Sequence, residues 1–223
     1  MSAHFSSAFE ERLTRLDDAL LRMGGLGRES LAQAAKGLFH RDIDACNASV
    51  AADEEIDDLE AEVGRLAMEI VTLFNPVAAD LRVVVSAIKL ATGLERVGDE
   101  CVSIARRARL LALEEEAAQT KLLEPLFDAA RILFNDALLA MANRDAVAAA
   151  AIAGRDDELD ELCRNITEKF TAAVRLGENQ LSGSAYANLA IIAKSLERVG
   201  DQAKNVAAET LFRLDAKSEH HTF

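Results

Sequence analysis

The chain has 223 residues, a formal net charge of −13 and a hydrophobic content of 50%, interrupted by only 2 prolines and 11 glycines. That length suits one large domain or two small ones, and a composition led by Ala, Leu, Glu, Asp and Arg favours helices, because such side chains lose little freedom in a helix. A field of this sign repels phosphate backbones, so nucleic acid is not an expected partner; cations or a basic patch on another protein are.

The first predicted helix runs from about Ser6 to Phe39, with Gly24 and Gly25 as an irregularity. Asp42 or Asp44 caps a second helix that reaches Phe74, where Asn75 and Pro76 break the chain, since proline disfavours helix at the residue before it. The third spans about Ala78 to Glu115 and the fourth about Thr120 to Ala142. Asn143 and Asp145 bracket a turn, and the fifth continues to Leu176. A loop from Gly177 to Gly183 precedes the sixth, from Ser184 to Leu214, and Lys217 to Phe223 form a frayed tail.

Cys46, Cys101 and Cys163 fall inside these helical patterns as small core residues. Odd in number and without a CxxC motif, they argue against a disulfide framework or a thiolate zinc site. The N-terminus lacks a basic-then-apolar leader, and no stretch reaches the ~18 uninterrupted apolar residues of a spanning helix. A cytoplasmic protein without membrane insertion is therefore expected.

The two halves repeat. Asp53-Glu54-Glu55-Ile56-Asp57-Asp58-Leu59 is matched by Asp156-Asp157-Glu158-Leu159-Asp160-Glu161-Leu162. Leu94-Glu95-Arg96-Val97-Gly98-Asp99 is matched by Leu196-Glu197-Arg198-Val199-Gly200-Asp201 at nearly the same offset. Three helices repeated once predict an all-α fold of two tandem three-helix bundles, residues 1–116 and 117–223.

On the second helix Ile56, Leu59, Val63, Leu66 and Ile70 form an apolar seam. On the third, Leu81, Val84, Ile88 and Ala91 continue into Glu95, Asp99 and Val102, so carboxylates are expected on the inward row. Residues four apart stack on one helix face about 5–6 Å from each other, as do Asp53 with Asp57 and Glu95 with Asp99. In an antiparallel hairpin facing residues are equidistant from the turn. Asp57 and Glu95, and likewise Asp53 and Asp99, are equidistant from Pro76. Asp160 and Glu197, with Asp156 and Asp201, are equidistant from the loop at Glu178 and Asn179. Each hairpin thus sets two carboxylates opposite two.

Converging carboxylates without thiolates suit hard cations, Mg²⁺, Mn²⁺, Ca²⁺ or Fe³⁺. Ser103 and Asn205, one turn further on, could add a neutral oxygen, and Glu29 on the first helix lies near the Asp53 level. The spacing leaves a second reading open: the aspartates favour first helical turns on a solvated face, and Glu95 and Glu197 pair with Arg96 and Arg198. Gly98 and Gly200, costly within a helix, point to a close approach by a helix or a ligand, or to common descent from one duplicated unit. His4, His40, His220 and His221 lie near termini or a turn, off the acidic rows, so Glu-x-x-His di-iron pairs are missing. No phosphate-binding loop or nucleophile triad appears, and nothing points to catalysis.

At Met23-Gly24-Gly25-Leu26, the segment from Asp53, Asn75 to Arg82 and both Leu-Glu-Arg-Val-Gly-Asp copies, the chain resembles the PhoU family over nearly its whole length. The resemblance implies two side-by-side three-helix bundles with pseudo-twofold symmetry and metal clusters of iron or zinc on the carboxylate surfaces. Carried over by position, the metal residues are Glu95, Asp99, Glu197 and Asp201, with Asp53, Asp57, Asp156 and Asp160 opposite. It also implies a homodimer that, when phosphate is plentiful, holds the sensor kinase PhoR off, contacts the transporter ATPase PstB and restrains phosphate uptake. Where the family often has Asp-His-Ala-x-Asn, the first copy reads Asp99-Glu100-Cys101-Val102-Ser103 and the second Asp201-Gln202-Ala203-Lys204-Asn205, so sites of unequal metal affinity are expected.

Overall fold

A computed structural model of the chain describes residues 2–115, 118–152, 155–176 and 181–218. Within them are seven α-helices and one short 3-10 segment, with no strand. They are α1 (Ser2–His40), α2 (Ile43–Phe74), α3 (Ala78–Ala112), the 3-10 segment (Ala118–Leu123), α4 (Glu124–Asn143), α5 (Ala146–Ile152), α6 (Asp156–Arg175) and α7 (Gly183–Ser218).

Local chemistry sets the ends. Asp42 caps α2, its Oδ1 accepting from the Ala45 N–H at 2.9 Å. Asn75 closes α2 in the left-handed region (φ 46°, ψ 55°) and returns its N–H to the Val71 carbonyl at 3.2 Å. Pro76 then has no N–H with which to continue. Arg144 ends α4 in the same left-handed conformation (φ 53°), and Asp145 Oδ1 takes the Val147 and Ala148 N–H groups to start α5.

Helices α1, α2 and α3 form one three-helix bundle; α4, α6 and α7 form the second, with α5 packed on α4 and α7. The bundles lie side by side, and α3 against α7 is the most extensive contact in the molecule. The two helices run antiparallel. Ser195 Oγ donates to Ser103 Oγ at 3.0 Å at one end, Lys89 Nζ meets Glu209 Oε1 at 3.0 Å further along, and the Arg82 guanidinium sits 5.1 Å from the Phe212 ring centre at the other. This reversal relates the bundles by an approximate twofold. It is imperfect at one ion pair: Arg198 binds Glu100 at 3.2 Å, whereas the position matching Glu100 in the second repeat is Gln202.

The structure changes four of the sequence expectations. First, α1 runs unbroken through Gly24 and Gly25. A Cβ at Gly24 would stand 2.6 Å from Leu138, and one at Gly27 3.4 Å from Phe134, so the small residues admit α4 rather than bend α1. Second, the fifth predicted helix is two, α5 and α6: the predicted span includes Gly154, a poor helix former, and Arg155 beside it is non-helical (φ −103°, ψ 15°). Third, the fourth helix begins as a 3-10 segment, because Pro125 favours the first turn of α4. Fourth, the predicted inward row of α3 holds only in part: Val84, Ala91 and Val102 are buried, but the buried face is wider than that row and shifted away from Glu95 and Asp99. Leu81 and Ile88 are 39% and 41% exposed, while Ala87, Leu90, Leu94, Val97, Cys101 and Ile104 are fully buried. The second-helix seam from Ile56 to Ile70 is buried as expected, and all three cysteines are free and buried. The 116/117 boundary and residues 219–223 of the tail lie outside the described residues.

Candidate functional site

The acidic rows flank the core instead of entering it. On α2, Ile56 and Leu59 point inward, which leaves Asp53 half-buried and Asp57 exposed on the flank. On α3, Leu94, Val97 and Cys101 point inward, which leaves Glu95 half-buried and Asp99 exposed. The α2–α3 register is the one centred on Pro76. A Cβ at Gly98 would lie 2.9 Å from Asp53 Oδ1 and 3.1 Å from Ile56 Cδ1. Thr92 Oγ1 donates to Glu60 Oε1 at 2.9 Å, again residues equidistant from that proline. The second hairpin matches: Gly200 packs on Leu159, and Cys163 Sγ donates to the Ala193 carbonyl at 3.5 Å. Gly98 and Gly200 are therefore sites of close helix approach.

The first repeat brings Asp53, Asp57, Glu95 and Asp99 into one electrostatic group. Burial, then Asp99, Glu60, Asp57 and Asp53, push the Glu95 carboxyl up to about 7. Burial, then Asp57 and Asp99, raise Asp53, with Arg106 acting against them. Burial, then Asp99, Glu60 and Asp58, raise Asp57. Glu60 was missed from the sequence, although its equidistance with Thr92 about Pro76 was there to be seen. Among the described residues no three His, Cys, Asp or Glu side chains are drawn close enough together to hold a metal ion as placed. Two features of the group nevertheless fit a cation. Asp53 Oδ1 is buried without a hydrogen-bond partner, and Gly98 beside it has no side chain to cover that oxygen, where a Cβ would stand 2.9 Å away.

The second repeat is arranged differently. Glu197 Oε2 pairs with Lys194 Nζ and also accepts from Cys163 Sγ at 3.4 Å. Asp201 Oδ1 pairs with Lys204 Nζ at 3.0 Å. Asp160 is exposed, and the side chain of Asp156 lies outside the described residues, as do Glu178 and Asn179. Glu197 thus pairs with Lys194, while Arg198 turns to Glu100. The neutral candidates are engaged elsewhere: Ser103 takes the Ser195 hydroxyl across the bundle seam, and Asn205 Nδ2 donates to Gln202 Oε1 at 3.2 Å. Glu29 is exposed and holds Gln33 Nε2 at 2.7 Å.

Two helical repeats with matching acidic flanks and a glycine at each helix crossing define a duplicated three-helix-bundle protein. The PhoU domain family model matches residues 20–108 and 123–210, once in each half, and the chain belongs to the PhoU family. It is 32% identical over 215 residues to a phosphate-specific transport system accessory protein PhoU homolog of Caulobacter vibrioides, covering 96% of this chain and 93% of that one. A homolog of the same description from Zymomonas mobilis is 33% identical, with 96% and 90% covered. The crystal structure of PhoU from Pseudomonas aeruginosa superposes with a TM-score of 0.87 at 27% identity, covering 93% of this chain and 99% of that one. That of the phosphate transport system regulatory protein PhoU from Streptococcus pneumoniae shares the fold, with a TM-score of 0.82. The family is one of accessory and regulatory proteins, not of known enzymes. Among the described residues no helix is long and apolar enough to cross a membrane.

Proposed function

We propose that the chain is a non-enzymatic negative regulator of phosphate uptake and of the phosphate-starvation response. In this reading it is a cytoplasmic homodimer that links the transporter ATPase PstB to the sensor kinase PhoR. The observation that carries the reading is the double PhoU match, one per repeat, over chains of nearly equal length. A strain lacking the protein, grown in ample phosphate, is expected to express its phosphate-uptake genes as if starved; expression unchanged from the parent overturns the reading.

The adaptor is further proposed to bind metal: iron, zinc, magnesium or manganese. Asp53, Asp57, Glu95 and Asp99 would hold it, and the all-oxygen donor set and the unpartnered Asp53 Oδ1, left uncovered by the bare Gly98, support this. When bound, the cation would supply the positive charge that lets these carboxylates stand together ionised. Elemental analysis of protein purified without chelator tests it. Metal at stoichiometric level, lost in Asp53→Ala, is the expected result, and none in the parent chain overturns it.

A further inference from the structure

Corresponding positions of the two repeats differ where they face the acidic rows. Lys194 and Lys204 of α7 correspond to Thr92 and Val102 of α3, and Cys163 of α6 corresponds to Glu60 of α2. The first repeat therefore adds a carboxylate to its row, with Arg106 as the cation acting on Asp53. The second replaces that carboxylate by a thiol and adds two ammonium groups. Both are in contact with the row, Lys194 on Glu197 and Lys204 on Asp201. Glu197 Oε2 is held by Lys194 and faces Cys163 Sγ at 3.4 Å, so one of its two oxygens is already engaged. The Lys204 side chain is only 20% exposed, tucked along the helix beside the carboxylate it holds.

From these contacts we infer that Lys194 and Lys204 are built-in counter-ions, so that a divalent cation loads on the first repeat and is excluded from the second. The inference rests on the metal-binding reading above. An exposed lysine–carboxylate pair is itself weak, and its strength is not what excludes the ion. A dication that took the carboxylates would leave two ammonium groups beside it, that of Lys204 partly shielded from water, and like charges at this distance repel. In the first repeat the arriving ion meets Thr92 and Val102 at those places, neither of them charged.

Calorimetric titration of the full chain with Mn²⁺, and separately with Zn²⁺, tests the inference, with circular dichroism to check that each variant is folded. Binding to the parent chain is expected to disappear in Glu95→Gln/Asp99→Asn and to keep its affinity within about twofold in Glu197→Gln/Asp201→Asn. The double exchange Lys194→Thr/Lys204→Val, which copies the first repeat, is expected to add a second binding event that is lost again when Glu197→Gln is included. Equal loss in both acidic variants, loss only in the second-repeat variant, or no added event after the lysine exchange overturns the inference and leaves metal binding standing. No binding to the parent chain by either ion overturns the metal reading, and the inference with it.

Discussion

At the scale of single residues, Gly98 shows how one atom couples the helix crossing to the acidic group. An alanine there would set its Cβ 2.9 Å from Asp53 Oδ1 and 3.1 Å from Ile56 Cδ1, so the buried oxygen and the fully buried Ile56 side chain would both have to shift. Overpacking of this kind costs about 1–3 kcal/mol, more than the roughly 0.5–1 kcal/mol that alanine gains over glycine in a helix. Gly98→Ala is therefore expected to unfold at lower denaturant than the parent. Gly25→Ala, with nothing within 4 Å of the new Cβ, is expected to be stabilised by about 0.5–1 kcal/mol. Urea titrations followed by circular dichroism separate the two, and a Gly98→Ala protein at least as stable as the parent contradicts the close approach.

Glu95 gives a pH dependence with a definite sign. Its carboxyl is raised from the ordinary 4.5 to about 7, so between those values the folded chain holds a proton that the unfolded chain has released. The group's contribution to stability is full below about pH 4.5 and is lost as pH rises through about 7. Without added metal, Glu95→Gln is expected to flatten that slope and to exceed the parent in stability most clearly above pH 7. Parallel stability–pH curves for parent and variant would rule this out.

At the scale of helices, matching sequences do not give equal packing. In the first bundle α2 packs broadly on both α1 and α3; in the second, α6 rests mainly on α7 and only lightly on α4. Between α4 and α6 a groove of about 360 Å³ is lined by Ala129, Ile132, Leu133, Leu159 and Leu162. A helix with one firm neighbour opens at lower free energy than one with two. Native-state hydrogen exchange is expected to release the α6 amides well before those of α2, and equal protection of the two helices would refute it. The predicted helix that became α5 and α6 belongs here as well. Periodicity continues across Gly154 in sequence, but periodicity does not report where a helix loses its partner.

At the scale of the whole molecule, with 38 acidic against 25 basic residues, the proposed cation would also be a stability term. A ligand bound only by the folded state adds RT ln(1 + [L]/Kd), about 2.7 kcal/mol at a hundred times Kd. Mn²⁺ or Zn²⁺ is expected to raise the melting temperature and excess chelator to lower it again; a melting temperature indifferent to both is the contrary result. The amino-acid sequence by itself determined the helical class, the duplication and the register of each hairpin. These depend on local propensity, on caps such as Asp42 and Asn75, and on short connections that fix which residues stand at one level. Only the tertiary structure decided which flank the carboxylates occupy and what neutralises them. Helix α3 is buried on two sides, by α1 and α2 and by α7, so its inward face is wider than one periodic seam and displaces Glu95 and Asp99 to the edge. Lys194 and Lys204 take their meaning from side-chain contacts with Glu197 and Asp201, since a lysine three residues from a carboxylate is otherwise an ordinary feature of a solvated helix.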